Sequence, residues 1–228
     1  MLPRYFLLSI SINEYESRSI PNLKGCLNDA EAIKTSLERI FGPSPEAAIL
    51  FLANAGATRA AILSAFHAHL IDNPKIERGD RIVIFFAGHG SRVRAPIGWA
   101  APSGLVRIIC PSDLLMPDSE GRPIHGIPDV TINALLRILA REKGNNITFV
   151  CDSCASESVS GGQARPWAAA SMPVDVDYDI LQNTNSEGRG FRLHGSHSSH
   201  VLLTATAVGE SAIEDDVTGV FVAYSQPH

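Results

Sequence analysis

The chain has 228 residues, 45% of them hydrophobic, and carries 19 Lys and Arg against 24 Asp and Glu for a net charge of −5. That suits one α/β domain or two small ones with a real core, and with no basic block the balance argues against a nucleic-acid partner. No stretch approaches the ~20 apolar residues of a membrane span, and four cysteines, two of them three apart, fit a reducing, cytoplasmic compartment rather than a secreted disulfide framework.

The opening MLPRYFLLSI lacks a small-residue cleavage site and reads as a first strand, Tyr5–Ile12, rather than a signal peptide. A polar loop follows to Gly25. Asn28 and Glu31 have the spacing of a capping box, and Leu27, Ile33, Leu37 and Ile40 recur near helical spacing until Gly42-Pro43. Ala48–Leu52 is a short second strand. Thr58 can cap a helix with Ile62, Phe66 and Leu70 on one face, ending near Asn73-Pro74.

Arg81–Ser91, RIVIFFAGHGS, is the stretch around which the rest is arranged. Ile82 to Phe86 is an unbroken apolar, β-rich run, the pattern of a strand buried on both faces. Gly88-His89-Gly90 then places an imidazole at its carboxyl end, the edge where open α/β sheets bind ligands. Alone, such a histidine is more often a turn residue.

Leu105–Cys110 is another strand, closed by Pro111-Ser112-Asp113. Asp129 or Thr131 caps a helix whose buried face is Ile132, Leu135, Leu136 and Leu139, with Gly144 as its stop. Ile147–Val150 leads into Cys151-Asp152-Ser153-Cys154. Periodicity then disappears over 156–199, read as an irregular linker inserted in a single domain spanning 1–228. Val201–Ala205 gives a sixth core-like run and Gly219–Ala223 a last one. Strands alternating with amphipathic helices predict an α/β fold with a mostly parallel sheet and helices on both faces.

If the strands before His89 and Cys154 lie in one parallel sheet, their carboxyl ends share an edge. A thiol there could find in the imidazole the base that makes it a nucleophile. Two other chemistries stay open. Cys151-x-x-Cys154 after a strand is also the spacing of a thioredoxin-like redox pair, and His194, His197 and His200 could suggest a metal, although such spacing in a Gly/Ser loop is more often solvated surface. Cys26 and Cys110 read as small buried apolar residues.

LLSISINEY, LKGCLNDA, ATRAAILSAF, GDRIVIFFAGHGSR, ICPSD, GNNITFVCDSC and SHVLLTATAVGESAIE together resemble the metacaspases and their caspase-like relatives in peptidase clan CD. The resemblance implies a caspase-like three-layer sandwich with about six strands. It implies a cysteine endopeptidase in which Cys154 attacks the peptide carbonyl, His89 assists and protonates the leaving amine, and the amides of Gly90 and Cys154 form the oxyanion hole. Cleavage after Arg or Lys is implied, with Asp29 and Asp152 as the acidic S1 residues that would hold the basic side chain. Read from the residues alone, Asp29 extends the helix cap and Asp152 is a turn residue. The implied partners are protein or peptide substrates with a basic P1 residue, for a monomer without nucleic acid or membrane. No cofactor is implied for the chemistry. Calcium as an activator stays open, with Asp113 at a matching acidic position.

The chain departs from the family where His-Ser-Gly commonly follows the cysteine, having Ala155-Ser156-Glu157 instead. A catalytically inactive caspase-like module acting through protein–protein interaction is therefore the rival reading. The last lysine is Lys143, and Arg165 precedes a proline whose ring obstructs cleavage. Self-processing is thus expected at Arg189, between glycines, or second at Arg192; mass spectrometry finding fragments cut only elsewhere would overturn this.

Overall fold

The computed structural model describes residues 5–99, 101, 104–153, 172–182 and 200–204, together with the backbone of 211–214 and 221–224. Its centre is a five-stranded parallel sheet of β1 (Tyr5–Ser11), β2 (Ile49–Ala53), β3 (Arg81–Ala87), β7 (Ile147–Asp152) and β8 (Val201–Thr204), in the order β2-β1-β3-β7-β8. β3 is the middle strand, as its continuous apolar run requires.

Alternate side chains of the sheet feed two cores. Phe6, Leu8, Ile10, Ile82, Ile84, Phe86, Ile147 and Phe149 point to one face, where helices α2 (Arg59–Ala65) and α3 (Asp129–Lys143) pack. Tyr5, Leu7, Val83, Phe85 and Ala87 point to the other, against Cys26, Ala30, Ile33 and Leu37 of α1 (Cys26–Phe41). Three layers result. Ile62, Phe66 and Leu70 are fully buried, although the helix widens to a π-helical turn over Phe66–Ile71. Glycines at positive φ, 80° at Gly42 and 92° at Gly144, end α1 and α3 where a side chain would be strained.

Local details depart from the sequence reading. The expected capping box of Asn28 and Glu31 is not formed, because α1 starts earlier, at Cys26, and the Asn13 side chain accepts from the Cys26 amide at 2.9 Å across the loop. Thr58 does cap α2, accepting from Ala61 N–H at 3.2 Å. Neither Asp129 nor Thr131 caps α3; it begins after Pro128 with no side-chain cap.

The run at 105–110 leaves the main sheet. β4 (Gly90–Arg94), β5 (Leu105–Ile109) and β6 (Ile127–Pro128) form a separate antiparallel sheet. The connection from β4 to β5 carries no helix, so it can return the chain only antiparallel. Val106 and Ile108 are buried while Leu105 and Arg107 are less so, the alternation of a sheet with one packed face. Likewise β10 (Phe221–Tyr224) pairs with β9 (Ser211–Glu214) in a two-stranded antiparallel sheet.

Of the segment read as irregular, 172–182 is described. It contains the short helix α4 (Tyr178–Gln182) and sends Met172 and Val176 into the core. Asp177, at φ 55°, accepts from Arg59 Nη2 at 2.5 Å and from Thr131 Oγ1 at 2.8 Å, tying this segment to α2 and α3. Its carboxylate is 5% exposed. Asp177→Ala should therefore cost about 3 kcal/mol, since it leaves a guanidinium without its partner and puts alanine in a left-handed conformation. In thermal unfolding that corresponds to a loss of roughly 6–12 °C. A change under about 2 °C would show that the contact does not anchor the segment.

Candidate active site

The β3–β7 register pairs Phe86 with Cys151 and Ala87 with Asp152, and Gly88 N–H donates to the Asp152 carbonyl at 3.3 Å. His89 and Cys154 each come two residues after the last of these pairs. Cys154 itself lies outside the described residues, as do Arg189, Arg192, His194, His197 and the Ala155–Glu157 stretch.

His89 is held at both ends. Its backbone N–H donates to the Tyr15 hydroxyl at 2.7 Å, and the two ring centroids lie 5.1 Å apart with the planes tilted by 36°. Its Nε2 lies 2.8 Å from the Pro21 carbonyl oxygen. A carbonyl can only accept, so Nε2 carries the proton and Nδ1 is the basic nitrogen of the neutral ring. Neither Tyr15 nor Pro21 was singled out from the sequence.

Their loop is fixed by its own asparagines. Asn13 takes Leu23 N–H on its carbonyl at 2.7 Å and Cys26 N–H on its side chain, Asn22 takes Tyr15 N–H at 3.1 Å, and Asn54 reaches across to Asn13 N–H at 2.8 Å. A side chain at Gly88 would crowd the same arrangement. A Cβ there would stand 3.1 Å from both the Tyr15 hydroxyl and the Phe86 ring.

Gly90 opens β4. Cys110 N–H donates to the His89 carbonyl at 3.0 Å and Ala95 N–H to the Gly104 carbonyl at 2.9 Å, at the two ends of the β4–β5 ladder. Hydrogen-bonded pairs alternate along an antiparallel ladder, so Gly90 falls on the alternate position and its N–H is directed away from β5.

Asp29, in the first turn of α1, and Asp152, at the end of β7, come within electrostatic reach of each other. Burial, and then the Asp29 charge, push the Asp152 carboxyl up to about 7. Asp152 Oδ1 is buried with no hydrogen-bond partner among the described residues. Two neighbouring carboxylates are electrostatically suited to a cation.

Cys151 is the opposite of an activated thiol. Its Sγ meets Ser153 Oγ at 3.2 Å, and burial pushes the thiol up to about 11. A redox nucleophile needs a lowered pKa, so the raised Cys151 thiol is poorly suited to attack in a thioredoxin-like pair.

Asp113 is buried, and its Oδ1 accepts from Arg59 N–H at 2.8 Å. Among the described residues no group of three His, Cys, Asp or Glu side chains could hold a metal ion. No helix among them is long and apolar enough to cross a membrane.

Residues 7–161 match the sequence model of the family described as "Metacaspase, peptidase C14 domain". The chain belongs to this metacaspase family. Its paired strand ends, the half-buried acidic pair and the fixed imidazole all fall within the matched region. The crystal structure of a protein from Geobacter sulfurreducens is similar in fold, with a TM-score of 0.62 and 17% identity, covering 97% of this chain and 78% of that one. No curated protein matches the sequence. The metacaspase domain makes this a caspase-like cysteine peptidase in general terms, with proteins as its class of substrate.

Proposed function

We propose that the protein is a cysteine endopeptidase working through Cys154 and His89 and cleaving after Arg or Lys. The observation that carries this reading is the β3–β7 register, with His89 two residues beyond Ala87 and Cys154 two beyond its partner Asp152.

In the reaction His89 Nδ1 takes the Cys154 thiol proton while Nε2–H stays on the Pro21 carbonyl, which also favours the imidazolium that forms. The sulfur attacks the substrate carbonyl, and the oxyanion is held by the amides of Gly90 and Cys154. His89 returns the proton to the leaving amine, and water then hydrolyses the thioester. Asp29 and Asp152 take the P1 guanidinium or ammonium by charge-assisted hydrogen bonds. No step runs through a metal.

An arginine-bearing acyloxymethyl ketone should alkylate the protein once, and peptide mapping should place the adduct on Cys154. An aspartyl analogue should label far more slowly. An adduct on Cys151, or equal labelling by the two probes, contradicts the assignment.

A further inference from the structure

The carboxyl ends of three strands put a polar row beneath α1. In the parallel registers Ser11 of β1 pairs with Ala87 of β3, and Ala87 pairs with Asp152 of β7. Paired positions of a sheet share a face, and Ala87 packs on the α1 side, so Ser11 and Asp152 flank it there. Asp29, in the first turn of α1, is close enough for its charge to act on Asp152. Ala87 ends at Cβ and so stands lower than the polar side chain on either side of it.

Alternation places Ser9 on the same face, about 7 Å farther from the strand end than Ser11. Ser9 is 0% and Ser11 2% exposed, on a face where β1 otherwise carries Tyr5 and Leu7. Among the described residues the two side chains hydrogen-bond only to each other, at 3.4 Å, longer than the usual ~2.8 Å between hydroxyls. One hydroxyl hydrogen and most of the lone pairs therefore have no partner among those residues. Asp152 Oδ1, across Ala87, is buried in the same condition. Buried polar groups are normally hydrogen-bonded, and what these acceptors lack is a donor.

We infer that Ser11, with Ser9 behind it, is the neutral floor of the P1 pocket, its hydroxyl accepting an N–H of the basic side chain held between Asp29 and Asp152. This inference rests on the peptidase reading above for the placement of that side chain. The hydroxyl also bears on which basic residue is accepted. An ammonium is a compact, strongly hydrated charge whose N–H groups all need acceptors once it leaves water. A guanidinium is delocalised, less hydrated and matched in its plane by carboxylates alone. Lysine therefore depends on a further acceptor more than arginine does, and Ser11 lets the pocket take both.

The test compares Ser11→Ala with wild type on fluorogenic peptides carrying Lys or Arg at P1. Loss of a hydrogen bond to a charged group should lower kcat/KM about 10-fold for Lys and about 2-fold for Arg, mainly through KM. In parallel, fluorescence anisotropy with the Cys154→Ala protein uses labelled peptides with Lys, Arg or norleucine at P1. Adding Ser11→Ala should weaken the Lys peptide about 10-fold and leave the norleucine peptide unchanged. A Lys-to-Arg ratio within about 2-fold of the parent's in either assay, or equal losses for Lys, Arg and norleucine, overturns the inference. Binding that does not favour basic peptides over norleucine overturns the pocket together with its floor. A protein that turns over no peptide but binds Lys peptides through Ser11 would sink the peptidase reading and leave the pocket standing.

Discussion

His89→Ala should lower kcat for an Arg-terminated fluorogenic peptide by about 10³-fold, with KM changing little, because general acid–base assistance by a positioned side chain is worth about 10²–10⁴. Cys154→Ala should remove turnover altogether. The effect at His89 should be larger than that of any residue positioning it. Tyr15→Phe removes the acceptor of the His89 backbone N–H, a loss of roughly 1–3 kcal/mol spread between folding stability and rate. A His89→Ala protein retaining more than about a tenth of wild-type kcat would exclude the imidazole as the working base.

Asp152→Asn should produce the second large change, and in two opposite directions. Removing one carboxylate from the proposed S1 pair should cut kcat/KM for Arg and Lys peptides by about 100-fold, mostly through KM. Stability should move the other way. The carboxyl is raised from 3.8 to about 7 in the folded protein, so the folded state holds a proton that the unfolded chain has already lost. That destabilises increasingly as pH rises from about 4 through about 7, and it is fully expressed above 7. Asp152→Asn should accordingly raise the melting temperature at pH 8 but hardly at pH 4. After allowance for solvent screening of a partly exposed group, the gain is about 1 kcal/mol, or some 2–4 °C. For the wild type, KM for basic peptides should fall as pH rises from 6 to 8, since only ionised Asp152 attracts the guanidinium. A flat KM over that range, or a melting gain independent of pH, would contradict the coupling of Asp29 and Asp152.

The parts of this account visible in the sequence are those set by long apolar periodicity or by punctuation. Ile82–Phe86 has no polar interruption and became the central strand; Gly42 and Gly144 stopped their helices; Ile62, Phe66 and Leu70 lay on one buried face despite the π-helical widening. What could not be read depended on contacts distant along the chain. The Pro21 carbonyl that sets the His89 tautomer is backbone, so no residue type announces it. Tyr15 left a faint signal as the only aromatic residue of the polar loop 13–25, whose Ile20 is also buried. Asn28 and Glu31 had capping-box spacing, but Asn13 from across the loop reached the helix start first. The role of Asp177 required Arg59, 118 residues earlier, to be its neighbour.

The most direct test of the central claim is turnover of fluorogenic peptides ending in Arg, Lys or Asp by wild type, Cys154→Ala and His89→Ala, each with and without millimolar calcium. The account predicts cleavage after Arg and Lys only, lost in Cys154→Ala and reduced about 10³-fold in His89→Ala, with the calcium arm deciding whether the ion activates. Absence of turnover from demonstrably folded wild-type protein in every condition would contradict it. The chain would then be a non-catalytic member of its family, with Ala155–Glu157 as the first place to look for the cause.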